Sequence, residues 1–194
     1  MRARLRMIRH GESVQSRNGG TDPGLSVLGA RQALELPASV TDRPDRLVTS
    51  PLIRARETAL PLAASLGLER SVDDDFAELP WRPGQSAAER VAELSEALHG
   101  NWSDFDAQWR NWRQRIIERV MSESGDIIVV SHFVVINVLV GFATNDDRAV
   151  VIRPANASIT EFHVSGDGLS IASLGAEAAV FPDPHLALAE GFSS

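Results

Sequence analysis

The stretch Arg4-Leu5-Arg6-Met7-Ile8-Arg9-His10-Gly11-Glu12-Ser13 decides the fold. Its apolar members Leu5, Met7 and Ile8 read as a first strand over residues 4–9 that runs straight into His10-Gly11. Downstream, strands and helices alternate. Ser26 is placed to N-cap a helix carrying Leu28, Ala30, Ala33 and Leu34. Leu47–Thr49 is a short second strand, and Ser50-Pro51 opens a helix whose apolar positions recur to Leu66, with Gly67 as its stop. Asp126–Val130 is a continuous apolar run ending at Ser131-His132, the pattern of a parallel strand covered on both faces, and Phe133–Val140 continues as a helix. This order predicts an α/β fold, a three-layer αβα sandwich with a mostly parallel central sheet. Ligands bind such sheets beyond the carboxyl ends of the strands. His10, the segment Ser50–Arg54 and His132 each follow a predicted strand, so one site can collect all three.

The remaining segments complete the outline. Asp73-Asp74-Asp75 is an acidic turn, and Phe76–Gly84, with two prolines, reads as a loop. Ser86 with Glu89 is a capping-box signal for a helix over Ala87–His99. A further helix carries Phe105, Trp109, Trp112, Ile116 and Val120 at three- and four-residue spacing, a stripe that suits core or lid packing. Ser158–Val164 and Leu169–Leu174, joined by Ser-Gly-Asp-Gly, predict a terminal hairpin. With no repeat or linker, residues 1–194 read as a single domain, of which 176–194 form a C-terminal tail with no assigned structure.

Composition narrows the partners. The 194 residues contain 43% hydrophobic and 23% charged side chains, ordinary for a globular protein. There is no cysteine, hence no disulfide, thiolate nucleophile or cysteine metal site. The opening residues lack a signal-peptide core and the most apolar run, 127–143, is interrupted by Ser131, His132 and Asn137, so a cytoplasmic protein without a membrane partner is expected. A net charge of -7 argues against nucleic acid. An anionic substrate would therefore need a local arginine cluster. Oligomeric state is not legible.

Arg9-His10-Gly11-Glu12 sets a potential nucleophile beside a permanent cation, with a glycine that lets backbone approach a ligand. A neutral imidazole attacks phosphorus without a separate base, and an adjacent arginine both holds phosphoryl oxygens and disfavours the imidazolium. Taken singly, His10 is also a plain strand-end histidine, Arg9 a surface charge and Arg54 a helix-surface arginine.

Read together, five segments resemble the histidine phosphatase superfamily, which includes phosphoglycerate mutase-like enzymes. They are Arg9-His10-Gly11-Glu12-Ser13; Leu25-Ser26 with Gly29 and Gln32-Ala33; Ser50-Pro51-Leu52-Ile53-Arg54-Ala55 with Glu57-Thr58-Ala59; Val130-Ser131-His132; and Asn156-Ala157-Ser158-Ile159-Thr160. The resemblance implies a phosphoglycerate mutase-like fold, His10 as the residue that becomes phosphohistidine, Arg9, Arg54 and His132 as a clamp on the phosphoryl group, and Glu78 as proton donor. Ser13, Ser16 and the Phe133 backbone are implied phosphate or substrate contacts, with Asn18 an alternative to Ser16. No metal and no cofactor is implied. Two departures stand out: Phe133 and Val134 replace the family's usual small pair, so the Phe133 side chain should narrow the pocket, and Ser16 stands where many members carry asparagine.

The short chain and compressed 14–20 loop favour a phosphomonoester hydrolase acting on a small-molecule phosphate ester over a phosphoglycerate mutase-type phosphotransferase. A catalytically weak phosphate-ester binding module is a third reading. Specificity would lie between Glu78 and Ser122, where Trp81, Trp102, Trp109 and Trp112 fall, and the substrate itself is not readable.

Overall fold

A computed structural model describes residues 2–14, 22–80, 84, 89 and 98–178. Within them a six-stranded sheet has the order β3-β2-β4-β1-β5-β6. The strands are β1 (Ala3–Arg9), β2 (Arg46–Thr49), β3 (Arg70–Val72), β4 (Gly125–Ser131), β5 (Ile159–Ser165) and β6 (Gly168–Ser173). The helices are α1 (Val27–Ser39), α2 (Ile53–Leu66), α3 (Ala107–Met121) and α4 (Phe133–Thr144), with short 3-10 turns at Asp74–Phe76 and Trp102–Asp104. The pairs β1–β4, β4–β2 and β2–β3 are parallel, whereas β5 runs antiparallel to both neighbours. The predicted three-layer, mostly parallel architecture is what is found.

The apolar run in β4 follows from its place between two layers of helices. Ile127 and Val129 join the core beneath α3 and α4, while Ile128 and Val130 join the one beneath α1 and α2. Every other residue points to an opposite face in a strand, so only a strand covered on both sides needs four apolar residues in succession. β1 divides likewise: Leu5 and Met7 face the first core and Ile8 the second.

Several boundaries and faces differ from the sequence reading. α1 starts as expected, with Ser26 Oγ accepting from the Gly29 N–H, but it buries Gly29, Ala33 and Leu36. Leu28 and Leu34 are exposed. The close approach of α1 to the chain after β1 selects the small-residue face, since a Cβ on Gly29 would stand 1.9 Å from the Glu12 carbonyl oxygen and one on Gly11 2.6 Å from that of Gly29. β3 carries no strand signal because all three residues are exposed at the sheet edge; pairing to β2 alone creates it. α4 runs to Thr144, beyond Val140, and closes on Asn145 in the left-handed region. Phe105 precedes α3, whose Trp109, Trp112, Ile116 and Val120 are core as expected. Residues 176–178 pair with 153–155 and so are not structureless. The helix expected at Ala87–His99, the Ser86 cap, Ser16, Asn18, Trp81 and residues 179–194 lie outside the described residues, apart from Glu89, Leu98 and His99.

Candidate active site

Strand register assembles the site. Arg9 pairs with Ser131 across β1–β4 and Thr49 with Val130 across β2–β4, so the residues that leave the three strands side by side are His10, Ser50 and His132. Backbone bonds fix the exits: His10 N–H to the Ser131 carbonyl at 2.9 Å and Ser50 N–H to the Val130 carbonyl at 2.9 Å. Each chain then turns away, because Pro51 cannot donate to a ladder and α4 begins at Phe133.

His10 is 7% exposed. Its Nδ1 lies 2.7 Å from the Gly11 carbonyl oxygen, a group that only accepts, so Nδ1 carries the proton and Nε2 keeps its lone pair. Arg54 Nε donates to that Nε2 at 3.1 Å. Burial, with Arg54 and Arg9 nearby, pushes the His10 pKa down to about 3 against the opposing pull of the Gly11 carbonyl. Neutral His10 is thus the resting form at ordinary pH. Its backbone is held too: Asn156 Nδ2 donates to the His10 carbonyl at 3.0 Å, and the next N–H, of Gly11, donates to Thr58 Oγ1 at 3.0 Å.

Two arginines are drawn into the same space. Arg9 Nη1 donates to the Pro154 carbonyl at 2.8 Å, its guanidinium lies 5.2 Å from the Phe133 ring centre, and its buried Nε has no hydrogen-bond partner among the described residues. Arg54 has one distant ion pair, 3.6 Å to Asp22, whose carboxylate chiefly accepts the Ile53 N–H at the start of α2. Burial lowers the pKa of both arginines. The partly buried Glu78 accepts from the Leu79 N–H at 3.1 Å and the Val134 N–H at 3.5 Å. Desolvation raises its pKa, although those two N–H groups, Arg54 and Arg9 pull the other way. His132 is fully buried, its ring centre 5.1 Å from that of His10, with Nε2 2.6 Å from Ser50 Oγ. Burial, His10 and the two arginines hold it well below an ordinary histidine pKa.

The structure therefore brings His10, Arg9, Arg54, Glu78 and His132 together. The Phe133 ring faces the Arg9 guanidinium. Ser13 forms an isolated bridge with Leu25. Ser50, Thr58 and Asn156 stood in the recognised segments without a role, and Asp22 gave no sequence signal. Among the described residues there is no cluster of three or more His, Asp or Glu fit for a metal ion, and no helix is long and apolar enough to cross a membrane.

Comparison with known proteins fits this geometry. A model of the histidine phosphatase superfamily (branch 1) matches residues 5–177, and the chain belongs to that superfamily. Among curated proteins it is similar to the bifunctional protein Rv2228c of Mycobacterium tuberculosis, 33% identical over 190 residues, covering 84% of this chain and 51% of that one. The uncharacterized protein Mb2253c of Mycobacterium bovis matches to the same extent, so the chain spans about half the length of these relatives. Among solved structures, a mycobacterial glucosyl-3-phosphoglycerate phosphatase is 26% identical, with a TM-score of 0.67 over 92% of this chain and 100% of that one. The phosphoserine phosphatase of Entamoeba histolytica, 22% identical with a TM-score of 0.70 over 90% of this chain and 97% of its own, shares the fold.

Proposed function

We propose that the chain hydrolyses small-molecule phosphate monoesters through a phosphohistidine on His10 Nε2. One observation carries this reading: a histidine held neutral, its Nδ1 tied to the Gly11 carbonyl, presents Nε2 to the partly buried Arg54 guanidinium with Arg9 near enough to lower its pKa, and among the described residues neither arginine is hydrogen-bonded to a carboxylate. Partly buried cations that donate to no carboxylate suit a site whose anion arrives with the ligand.

The chemistry follows from the donors. A phosphoryl group takes the place of the Arg54–His10 contact, with Arg9, Arg54 and His132 donating to its non-bridging oxygens. His10 Nε2 attacks in line, the P–N bond forms, and the P–O bond to the leaving group breaks. Protonated Glu78 gives its proton to the departing oxygen. Water then attacks the phosphohistidine, its proton passes to the Glu78 carboxylate, and the P–N bond breaks to release inorganic phosphate and restore His10. Arg9 and Arg54 supply the positive charge and neutral His132 a hydrogen bond in each step, which requires no metal ion.

Quenching a turnover mixture in alkali and mapping peptides should find acid-labile phosphate on His10, and His10→Ala should lose roughly 10⁴-fold or more of kcat/KM. Chelation should leave the rate unchanged. Isomerisation of phosphoglycerate run in parallel should be slower than phosphate release. Full activity in His10→Ala, or activity lost to EDTA and restored by Mg²⁺, Mn²⁺ or Zn²⁺, overturns the proposal.

A further inference from the structure

Ser50 and His132 are both fully buried and stand 2.6 Å apart, a contact the reaction above does not use. Ser50 Oγ also accepts the Leu52 N–H at 3.2 Å, and His132 Nδ1 has no partner among the described residues. We propose that Ser50 is a positioning residue: its hydroxyl donates to His132 Nε2, fixes the Nδ1–H tautomer, and so makes His132 a neutral hydrogen-bond donor to the transferring phosphoryl group. The inference rests on the proposed phosphoryl chemistry for its purpose, though the tautomer itself is independent of any activity.

Hydrogen-bond accounting selects this arrangement. A serine hydroxyl has one proton and two lone pairs, and a neutral imidazole has one donor and one acceptor. The Leu52 N–H takes one lone pair. If His132 Nε2–H donated to the other, the buried Ser50 proton would have no acceptor, and Nδ1 would present a bare lone pair to phosphoryl oxygens that are themselves acceptors. With Ser50 donating to Nε2, the hydroxyl proton is satisfied and Nδ1–H is the one ring nitrogen left for a ligand. Keeping the ring neutral also avoids placing a third cation beside Arg9 and Arg54, where desolvation would penalise it. The backbone reinforces the alignment, because Ser50 and His132 leave adjacent strands whose register is fixed by Thr49 and Val130. Both hydroxyl and imidazole are thus delivered by β-ladder bonds.

Long-range ¹H–¹⁵N NMR of histidine-labelled protein tests the assignment, with the His132 signals identified by their loss in His132→Asn. The wild type should show His132 protonated on Nδ1 and bare at Nε2, with and without inorganic phosphate. Ser50→Ala should lose roughly 10- to 100-fold in kcat/KM, the size of the hydrogen bond from His132 to the charged phosphoryl group that Ser50 aligns. It should also weaken inhibition by inorganic phosphate and mix the tautomers, while Ser50→Thr restores all three. A wild-type His132 protonated on Nε2 alone, or on both nitrogens, overturns the proposal, as does unchanged kcat/KM and phosphate inhibition in Ser50→Ala of an active enzyme. Should Ser50→Ala fail to fold, the wild-type spectrum still decides. An Nδ1–H signal in a protein that releases no phosphate from any ester would support the tautomer and sink the hydrolase reading, which keeps the two failures apart.

Discussion

Strand β1 carries arginines of two kinds. Near its start, Arg4 is bonded to Glu161 and to Asp42 at 2.8 Å each, and Arg6 to Asp126 at 2.7 Å. At its end, Arg9 has a carbonyl and an aromatic face, and Arg54 beside it has a histidine nitrogen and one distant carboxylate. The hydrogen bonds that Arg4 donates to Glu161 and Asp42 raise its pKa, whereas burial lowers those of Arg9 and Arg54. An unpartnered N–H does not by itself separate the groups, since Arg6 Nε is buried and has no hydrogen-bond partner among the described residues as well. The carboxylate does. One end of the strand holds charge hydrogen-bonded to carboxylates that tie β1 to its neighbours, and the other holds positive charge opposed through space by Glu78 and, at 3.6 Å from Arg54, by Asp22.

The largest expected effect tests that division directly. Arg54→Met should lose roughly 10³-fold or more in kcat/KM, in the range for a cation on a transferring phosphoryl group. It should leave the melting temperature unchanged or raised, because a desolvated cation with one long ion pair is removed. Thermal unfolding beside aryl phosphate hydrolysis checks both. A large loss of stability with little loss of rate would make Arg54 a structural arginine like Arg4 and dissolve the comparison.

Carboxylates show the same contrast and give the next effect. Arg4 holds Glu161 below its usual range, while desolvation holds Glu78 above it. Glu78→Gln should cut kcat/KM by roughly 10²- to 10⁴-fold for alkyl phosphates and much less for nitrophenyl phosphate, whose leaving group needs no proton. In the proposed mechanism the acid form is the active one, so wild-type activity on alkyl esters should fall as pH rises through the raised Glu78 pKa, and Glu78→Gln should lack that limb. Stability runs in the same direction. A raised carboxyl pKa favours folding below the unfolded value, near 4.5, and that contribution is lost as pH rises through the folded value. Glu78→Gln should therefore gain on the wild type in stability towards neutral pH, and equal losses for both ester types would remove Glu78 as the acid.

Smaller effects belong to the structural end and to the backing of Arg9. Arg4→Met should cost about 1 kcal/mol of stability, the scale of a partly exposed ion-pair network, with kcat/KM unaltered. A drop in kcat/KM would show that the two ends of β1 are coupled. Phe133→Leu removes the ring beside the Arg9 guanidinium, a contact worth about 1 kcal/mol, so phosphate should bind roughly two- to five-fold more weakly. Unchanged inhibition by inorganic phosphate would detach Phe133 from the arginine it touches.

Much of this was legible in local chemistry. Ser26 capped α1 and Gly67 stopped α2 as their residue types require, and the Trp109–Val120 stripe packed inward at helical spacing. The α1 face was misread because Leu28 and Leu34 outrank glycine and alanine in hydrophobicity, yet closeness of backbone to backbone, which only small residues permit, set the contact. β3 was missed because an edge strand with no buried residue has no apolar pattern to read.

By itself the sequence determined the alternation of strand and helix, the caps, and the residue types standing at strand ends, since periodicity and side-chain chemistry act within a few residues. Only the tertiary structure decided which of those ends meet. His10, Ser50 and His132 come from three separate stretches of chain, and the parallel registers Arg9–Ser131 and Thr49–Val130 set them side by side. Their protonation was decided there too. The low His10 pKa, the raised Glu78 pKa and the lowered Arg54 pKa arise from burial and neighbours, which no single segment contains.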